Sequence, residues 1–325
     1  MYFSFIIPVY NRPDELDELL NCISKQTNQN FEIVIIEDGS TLDSASIVQK
    51  YELKGLSIQY LVKSNEGQGF ARNDGFKIAK GDFFIILDSD ALIEPNYLET
   101  VVRELNAMHL DLYGGPDKDH PSFTPIQKAI SYSMTSIFTT GGIRGKKSNV
   151  GGTFHPRSFN MGISRRVYEA TQGFKITRMG EDIEFSIRCI SLGFTSGLIE
   201  DAFIYHKRRT SFKQFYKQLH FFGRARINIG RFFPQELKWV HYFPMAYFLG
   251  SIVSIISILI FPKQLIAQLL FFSLTLYNFV IGIDAGLKYK SIKLAYLAII
   301  ASNIQLCAYG IGFIGEKFEI ISSKK

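Results

Sequence analysis

Two aspartates separated by one residue close the most apolar strand-like run in the first third of the chain, DFFIILDSDA at 82–91. Carboxylates as close as Asp88 and Asp90 repel each other unless water or a cation neutralises them. Their hard oxygens suit Mg²⁺ or Mn²⁺, above all where phosphate oxygens complete the shell. A lone Asp-x-Asp also occurs in many turns, so its place at the end of a buried strand carries the signal. A second acidic pair, Glu37 and Asp38, opens EDGS at 37–40, again at a strand exit. Asp38 can accept hydrogen bonds from a base or ribose there, or simply serve an Asp-Gly turn. A third, Glu181 and Asp182, stands in GED at 180–182 at the start of a helical pattern. Asp182 is either an N-terminal cap or, facing a cleft at the right distance from a hydroxyl, a general base.

The elements that must position these acids are short apolar runs alternating with helical periodicity. FSFIIPVY (3–10) is rich in β-formers and too short for a buried helix, with Pro8 suited to its end. Residues 14–27 repeat Leu16, Leu19, Leu20 and Ile23 at helical spacing, with Asp14 and Glu15 in the favourable first turn. Strands at 31–40, 56–63 and 82–91 alternate with helices at 44–53, 69–80 and 95–108. Continuous apolar strands separated by helices predict a largely parallel sheet covered on both faces. In such folds ligands gather at the C-terminal ends of the strands. Further on, 113–120 and 139–152 read as Gly-rich loops, 159–174 as a strand turning into a helix, and 180–194 as a helix. The loop at 139–152 is expected to close over a substrate and exclude water.

The chain divides near residue 240. Three uncharged segments follow, at 239–262, 264–283 and 294–315. A helix needs roughly 20 residues to cross the hydrocarbon core, and three in succession without a charged stripe predict a membrane region. The first two also fit a re-entrant hairpin, because only Pro262 and Lys263 separate them. Trp239, Tyr242 and Tyr247 suit an interfacial belt. Residues 203–238 hold nine basic side chains against one acid, Glu236. Such a collar beside an apolar anchor fits an anionic, cytoplasmic membrane face, and Lys288, Lys290 and Lys293 then return to that side. The expected domains are 1–238 and 239–325.

Composition bounds the classes. With 325 residues, 46% of them hydrophobic and 20% charged, the chain has ample core material. Its mean hydropathy is +0.07. A net charge of +6 is too diffuse to point to nucleic acid. Cys22, Cys189 and Cys307 are far apart and form no Cys-x-x-Cys, which fits a reducing compartment and excludes a thiolate zinc knot. The start MYFSFIIPVYNRP has no basic region and no signal-peptide pattern.

Taken in order, PVYNRP (8–13), EDGS (37–40), NEGQGFARN (65–73), LDSDA (87–91) and MGEDIEFSIRCISLGF (179–194) resemble an inverting family 2 glycosyltransferase with a GT-A fold. The resemblance spans about residues 3–240, and no dinucleotide or Walker-type phosphate loop competes with it. It implies an α/β GT-A head and a nucleotide diphosphate sugar as donor, with a UDP-sugar favoured. It implies that Pro8, Tyr10, Glu37, Asp38, Arg72 and Asp88 bind the donor, Asp38 at the base and Asp88 by the ribose or the metal shell. It makes Asp90 and His206 the ligands of Mn²⁺ or Mg²⁺, Glu181 an acceptor contact and Asp182 the base. Arg224 and Arg226 are candidates for the diphosphate. The Gln-x-x-Arg-Trp signature of processive synthases is absent, since QLHFFGRAR (218–226) lacks the Trp. Transfer of one sugar to a lipid-linked or glycan acceptor at the cytoplasmic face of a bacterial inner membrane is therefore expected, in surface polysaccharide or glycolipid assembly. A polyprenyl-phosphate sugar synthase and a non-catalytic membrane protein that binds nucleotide sugars are the alternatives.

Overall fold

The computed structural model describes residues 1–118, 120–140 and 154–318. They fall into two compact units, one of residues 1–118, 120 and 154–207, the other of 121–140 and 208–318. Most of the expected closing loop at 139–152, from residue 141 on, lies outside the described residues.

The first unit opens with the expected alternation. Strands β1 (Phe3–Val9), β2 (Phe31–Asp38), β3 (Ile58–Lys63) and β4 (Phe83–Leu87) are joined through helices α1 (Pro13–Ile23), α2 (Ala45–Glu52) and α3 (Gln68–Ile78). Then come β5 (Ala91–Ile93), α4 (Tyr97–Met108), β6 (Leu112–Gly114) and β7 (Asp117–Lys118). The segment 113–120, expected as a loop, thus carries strand structure. Tyr113 is fully buried and pairs with Gly162 of the next strand, which draws the polar Gly-rich stretch into the sheet. Helices α5 (Pro125–Thr135) and α6 (Ile137–Thr140) belong to the second unit. The first resumes with β8 (Asn160–Ser164), α7 (Arg165–Thr171), α8 (Glu181–Ser191), β9 (Ser196–Leu198) and β10 (Ile204–His206).

Among the described residues, seven strands form the main sheet in the order β3-β2-β1-β4-β8-β6-β9, and β5-β10-β7 form a small second one. Strands β1 to β4 are mutually parallel, while β8 runs antiparallel to both β4 and β6, so the sheet is mixed beyond β4. Pro8 lies past the last β1–β4 pair, Ile6 with Ile86, near the strand's end as expected. The continuous apolar strands follow from two cores. Phe5, Ile7, Ile33, Ile35, Ile85 and Leu87 face α1 and α4. Their alternates Ile6, Val34, Ile36, Phe84 and Ile86 face Ala71 and Phe76 of α3 and Phe185 of α8. Both faces of the strands are dry, so no polar alternation survives.

The second unit consists of α5, α6, α9 (Phe212–Phe232), α10 (Phe243–Ile260), α11 (Leu265–Tyr289) and α12 (Ile292–Lys317). Three helices, Trp239–Ile260, Leu265–Tyr289 and Ile292–Lys317, are long and apolar enough to cross a membrane. The expected domain boundary at 238 therefore falls inside this unit, because α9 packs on α12. The two helices meet so closely that a Cβ on Gly223 would strike the backbone of Tyr309, and one on Gly312 the backbone of His220. Asn303 links three helices, accepting from Tyr247 Oη at 2.6 Å and donating to Asn278 Oδ1 at 2.5 Å, as polar groups do between membrane helices.

Two expectations change here. Helix α11 runs past the expected end at 283, since the Asp284 carboxylate accepts a 2.6 Å bond from Tyr132 of α5 and is satisfied inside the protein. The basic collar is also partly internal. Glu316 of α12 engages Arg224 at 2.9 Å and Arg231 at 2.8 Å, Lys207 pairs with Glu18, and Arg208 is buried. Lys213 and Lys217 remain on the exposed side.

Candidate active site

The chain leaves β4 at Leu87 and turns through Asp88, Ser89 and Asp90 into β5, with Ala91 N donating to Asp88 O at 3.0 Å. This turn ends a buried parallel strand, where a doubly covered sheet exposes its carboxyl ends to ligands. Strand β10 pairs antiparallel with β5 and sets His206 opposite Ala91. That register brings His206 Nε2 to 3.1 Å from Asp90 Oδ1. Phe159 stacks on the imidazole with ring centroids 5.2 Å apart, which fixes its plane. Single ligand atoms of Asp88, Asp90 and His206 all lie within 4.8 Å of one another. Two carboxylates and an imidazole form a donor set that fits Mn²⁺ or Mg²⁺.

Arg72, fully buried on α3, joins this turn to the third acidic pair. Its Nη2 donates to Asp88 Oδ1 at 2.7 Å and its Nη1 reaches Glu181 Oε1 at 3.5 Å, while the guanidinium lies over the Phe174 ring. Gln68, one helical turn earlier, donates to the same Glu181 oxygen. Burial pushes the Glu181 carboxyl above its ordinary range, and neighbouring Asp182 adds to the rise against the pull of Arg72 and Gln68. Gly180 takes a left-handed φ of 102° as α8 begins, leaving Asp182 in the first turn. Asp182 Oδ1 accepts from Ile183 N at 2.8 Å, and its Oδ2 lies 3.6 Å from Arg157 Nη1. The expected cap is not formed, because Gly180 takes the N-cap position and Asp182 lies within the helix, one oxygen facing Ile183 N and the other an arginine.

The remaining expected donor residues divide. Tyr10 is half exposed. Glu37 is fully buried and accepts from Ser40 Oγ, Ser44 N and Tyr60 Oη, so its carboxylate holds the β2 exit loop rather than facing a nucleoside. Burial, with Glu37 beside it, pushes the Tyr60 phenol up to about 12. Asp38 is buried too, and its two oxygens accept from Glu66 N and Gly67 N at 2.9 Å. It clamps the NEGQG segment to the end of β2. Arg224 and Arg226 belong to the helical unit, and Glu316 engages Arg224 there, an ion pair between helices in place of the expected diphosphate contact.

Several residues of the site were not anticipated. Asn11, at a φ of 54°, accepts from Thr41 N and Leu42 N through Oδ1, tying the PVYNRP loop to the EDGS loop. Arg12 extends Nη1 to Asp90 Oδ2 at 3.2 Å and to Glu15 Oε2 at 2.8 Å. Burial alone would lower the Arg12 pKa, but Asp90 and Glu15 reverse that and hold it above its ordinary value. Arg157 stands beside Asp182. Gln68 was legible, as it lies four residues before Arg72 on one helix face. Arg12 and Arg157 carry no spacing signal.

A mixed α/β head with acids at the strand ends, a carboxylate–imidazole cluster and a second acidic pair at a helix start define a nucleotide-sugar transferase type of site. Residues 4–171 match the family Glycosyl transferase family 2, and the chain belongs to that family. Among curated relatives, glycosyltransferase GlyG of Streptococcus pneumoniae is 34% identical over 113 residues, 34% of this chain and 38% of GlyG. The poly(ribitol-phosphate) beta-N-acetylglucosaminyltransferase TarS of Staphylococcus aureus is 36% identical over 115 residues, 34% of this chain and 20% of TarS. The chain thus spans well under half the length of these relatives. Among solved structures, the mannosyltransferase PcManGT of Pyrobaculum calidifontis, in complex with GDP-Man and Mn²⁺, matches with a TM-score of 0.65 at 16% identity, covering 93% of this chain and 86% of that one. S. aureus TarS 1–349 with UDP-GlcNAc matches with a TM-score of 0.53 at 20% identity, covering 98% and 92%. At these identities the likeness is one of fold, a GT-A-like head.

Proposed function

We propose that this protein transfers a single sugar, with inversion, from a nucleotide diphosphate sugar to a lipid-linked or glycan acceptor at the cytoplasmic face of a bacterial inner membrane, in surface polysaccharide or glycolipid assembly. The observation that carries the reading is Arg72, which ties the metal-type turn at Asp88 to Glu181, the neighbour of Asp182. The leaving-group end and the base end of the reaction are thereby held in one hydrogen-bonded frame. A UDP-sugar is favoured as donor, in keeping with the UDP-GlcNAc complex of TarS. The Mn²⁺ complex of PcManGT agrees with the donor set of Asp88, Asp90 and His206.

In this reading Asp182 takes the proton of the acceptor hydroxyl. The oxygen attacks the anomeric carbon from the face opposite the nucleotide, and the bond from that carbon to the phosphate oxygen breaks. The electron pair leaves on the nucleoside diphosphate. A divalent ion held by Asp90, His206 and Asp88, when bound, offsets the charge that develops there. The three apolar helices favour a polyprenyl phosphate acceptor as the second reading.

The test is release of nucleoside diphosphate by the full chain in detergent, from a panel of nucleotide sugars with Mn²⁺ or Mg²⁺ and a lipid-phosphate acceptor. Metal-dependent release from one donor, lost in Asp90→Ala and Asp182→Asn, is the expected result. Release that persists without metal or in Asp182→Asn would overturn the assignment.

A further inference from the structure

Arg12 is an unusual neighbour for a metal ligand. Its guanidinium sits 3.2 Å from Asp90 Oδ2, on the oxygen opposite the one that faces His206, and Asp88 adds to the negative field around it. A cation already stands where a divalent ion would bring two more positive charges. The two cannot share Asp90 without strong repulsion. Arg12 is also free to leave. About a third of its side chain is exposed, it makes no capping bond to α1, and its other partner, Glu15, lies three residues along the same helix. Its loop follows β1 at the carboxyl edge of the sheet, where ligands of this fold class gather. A displaced guanidinium at that edge has a planar fork suited to phosphate oxygens.

We propose that Arg12 is a transferable counter-cation. It neutralises Asp90 while no divalent ion is bound, and it moves onto the donor's diphosphate once the ion occupies the acids. Metal and nucleotide then bind cooperatively, because each removes the penalty the other meets. The free ion faces a resident positive charge, whereas the ion arriving with a diphosphate finds that charge a new partner. This rests on the donor and metal reading above. Arg12 is a donor-binding residue here, and its role shows in binding coupling rather than in turnover.

The experiment measures Mn²⁺ binding to the full chain in detergent by electron paramagnetic resonance, with and without saturating UDP, for wild type, Arg12→Gln, Arg12→Lys and Asp90→Ala. Without UDP, Arg12→Gln is expected to bind Mn²⁺ about fivefold more tightly, since it loses a competing, partly exposed ion pair. With saturating UDP it is expected to match wild type for Mn²⁺, because Arg12 then lies on the diphosphate and no longer competes, while UDP binding in the presence of Mn²⁺ falls about tenfold for want of a charge-assisted phosphate contact. By linkage, Mn²⁺ must then enhance UDP binding about fivefold less in Arg12→Gln than in wild type. Arg12→Lys keeps the charge and should match wild type for Mn²⁺ alone, which separates charge competition from loss of local structure. Weaker Mn²⁺ binding by Arg12→Gln without UDP, or coupling equal to wild type, would overturn the proposal while leaving the metal site intact. Wild type binding no more Mn²⁺ than Asp90→Ala under both conditions would overturn the metal reading and the coupling with it.

Discussion

Replacing Arg72 by Met tests the frame on which the site rests. Met retains an apolar stem over Phe174 but removes the only charge that Arg72 brings to Asp88 at 2.7 Å and to Glu181 at 3.5 Å. Breaking a buried ion pair by removing one partner costs about 3–5 kcal/mol. Asp88 is a third exposed and can turn to water, and the Glu181 contact is long, so the low end, about 3 kcal/mol, applies. For a domain of this size each kcal/mol shifts the midpoint by about 2–4 °C, which predicts a fall of roughly 6–12 °C at neutral pH. Trp239, the single tryptophan, lies in the helical unit, so its fluorescence reports on the wrong part of the molecule. Temperature-dependent hydrogen exchange in peptides from β1, β2 and β4 of the full chain in detergent is the suitable assay. The penalty should shrink as pH falls through the raised Glu181 pKa, because a protonated Glu181 no longer needs the guanidinium. A midpoint within 2 °C of wild type at neutral pH, or a deficit that grows on acidification, would refute the reasoning.

Other outcomes follow from the same contacts. Asp182→Asn should lower transfer about a hundredfold or more while leaving UDP and Mn²⁺ binding within twofold of wild type, as removal of a general base would. Glu181 has a folded pKa raised above its ordinary value of 4.5, so the unfolded chain gives up this proton first. Stability therefore falls as pH rises from about 4.5 to the folded pKa, and Glu181→Gln should remove that fall in a pH series of melting curves. Gly312→Leu places a side chain against the His220 backbone of α9. It should destabilise the helical unit by about 1–3 kcal/mol, read as an earlier melt of Trp239 fluorescence with little change in hydrogen exchange of β1 and β4.

Local patterns were enough for much of this protein. Strands β1 to β4 were legible because apolar runs of strand length, bounded by acids or glycines, have few other uses in a covered sheet, whereas the short strands β6, β7, β9 and β10 gave no such run. The three membrane-length helices were legible because an uncharged run near 20 residues satisfies its own backbone only as a helix. The acids at 37–38, 88–90 and 181–182 stood out because charge at the edge of a dry element is costly without a purpose.

What the acids do is another matter, because a carboxylate's role depends on which donors reach it. Glu37 and Asp38 look equivalent in sequence. In the fold Glu37 is consumed by Ser40, Ser44 and Tyr60, and Asp38 by two backbone amides of the next loop. Arg224 looked like a phosphate ligand until Glu316, far along the chain, supplied its partner. The amino-acid sequence by itself determined the family, the strand and helix alternation, the membrane-length helices and the positions of the acids. These depend on side-chain type and spacing within one element. The resemblance already implied a shared site for His206 and Asp90, but the tertiary structure alone decided that Arg72 spans Asp88 and Glu181 and that Arg12 lies on the metal-type turn. Each of these requires strand register and helix docking between distant segments, and a register shift of one residue would turn the side chain to the other face of its strand.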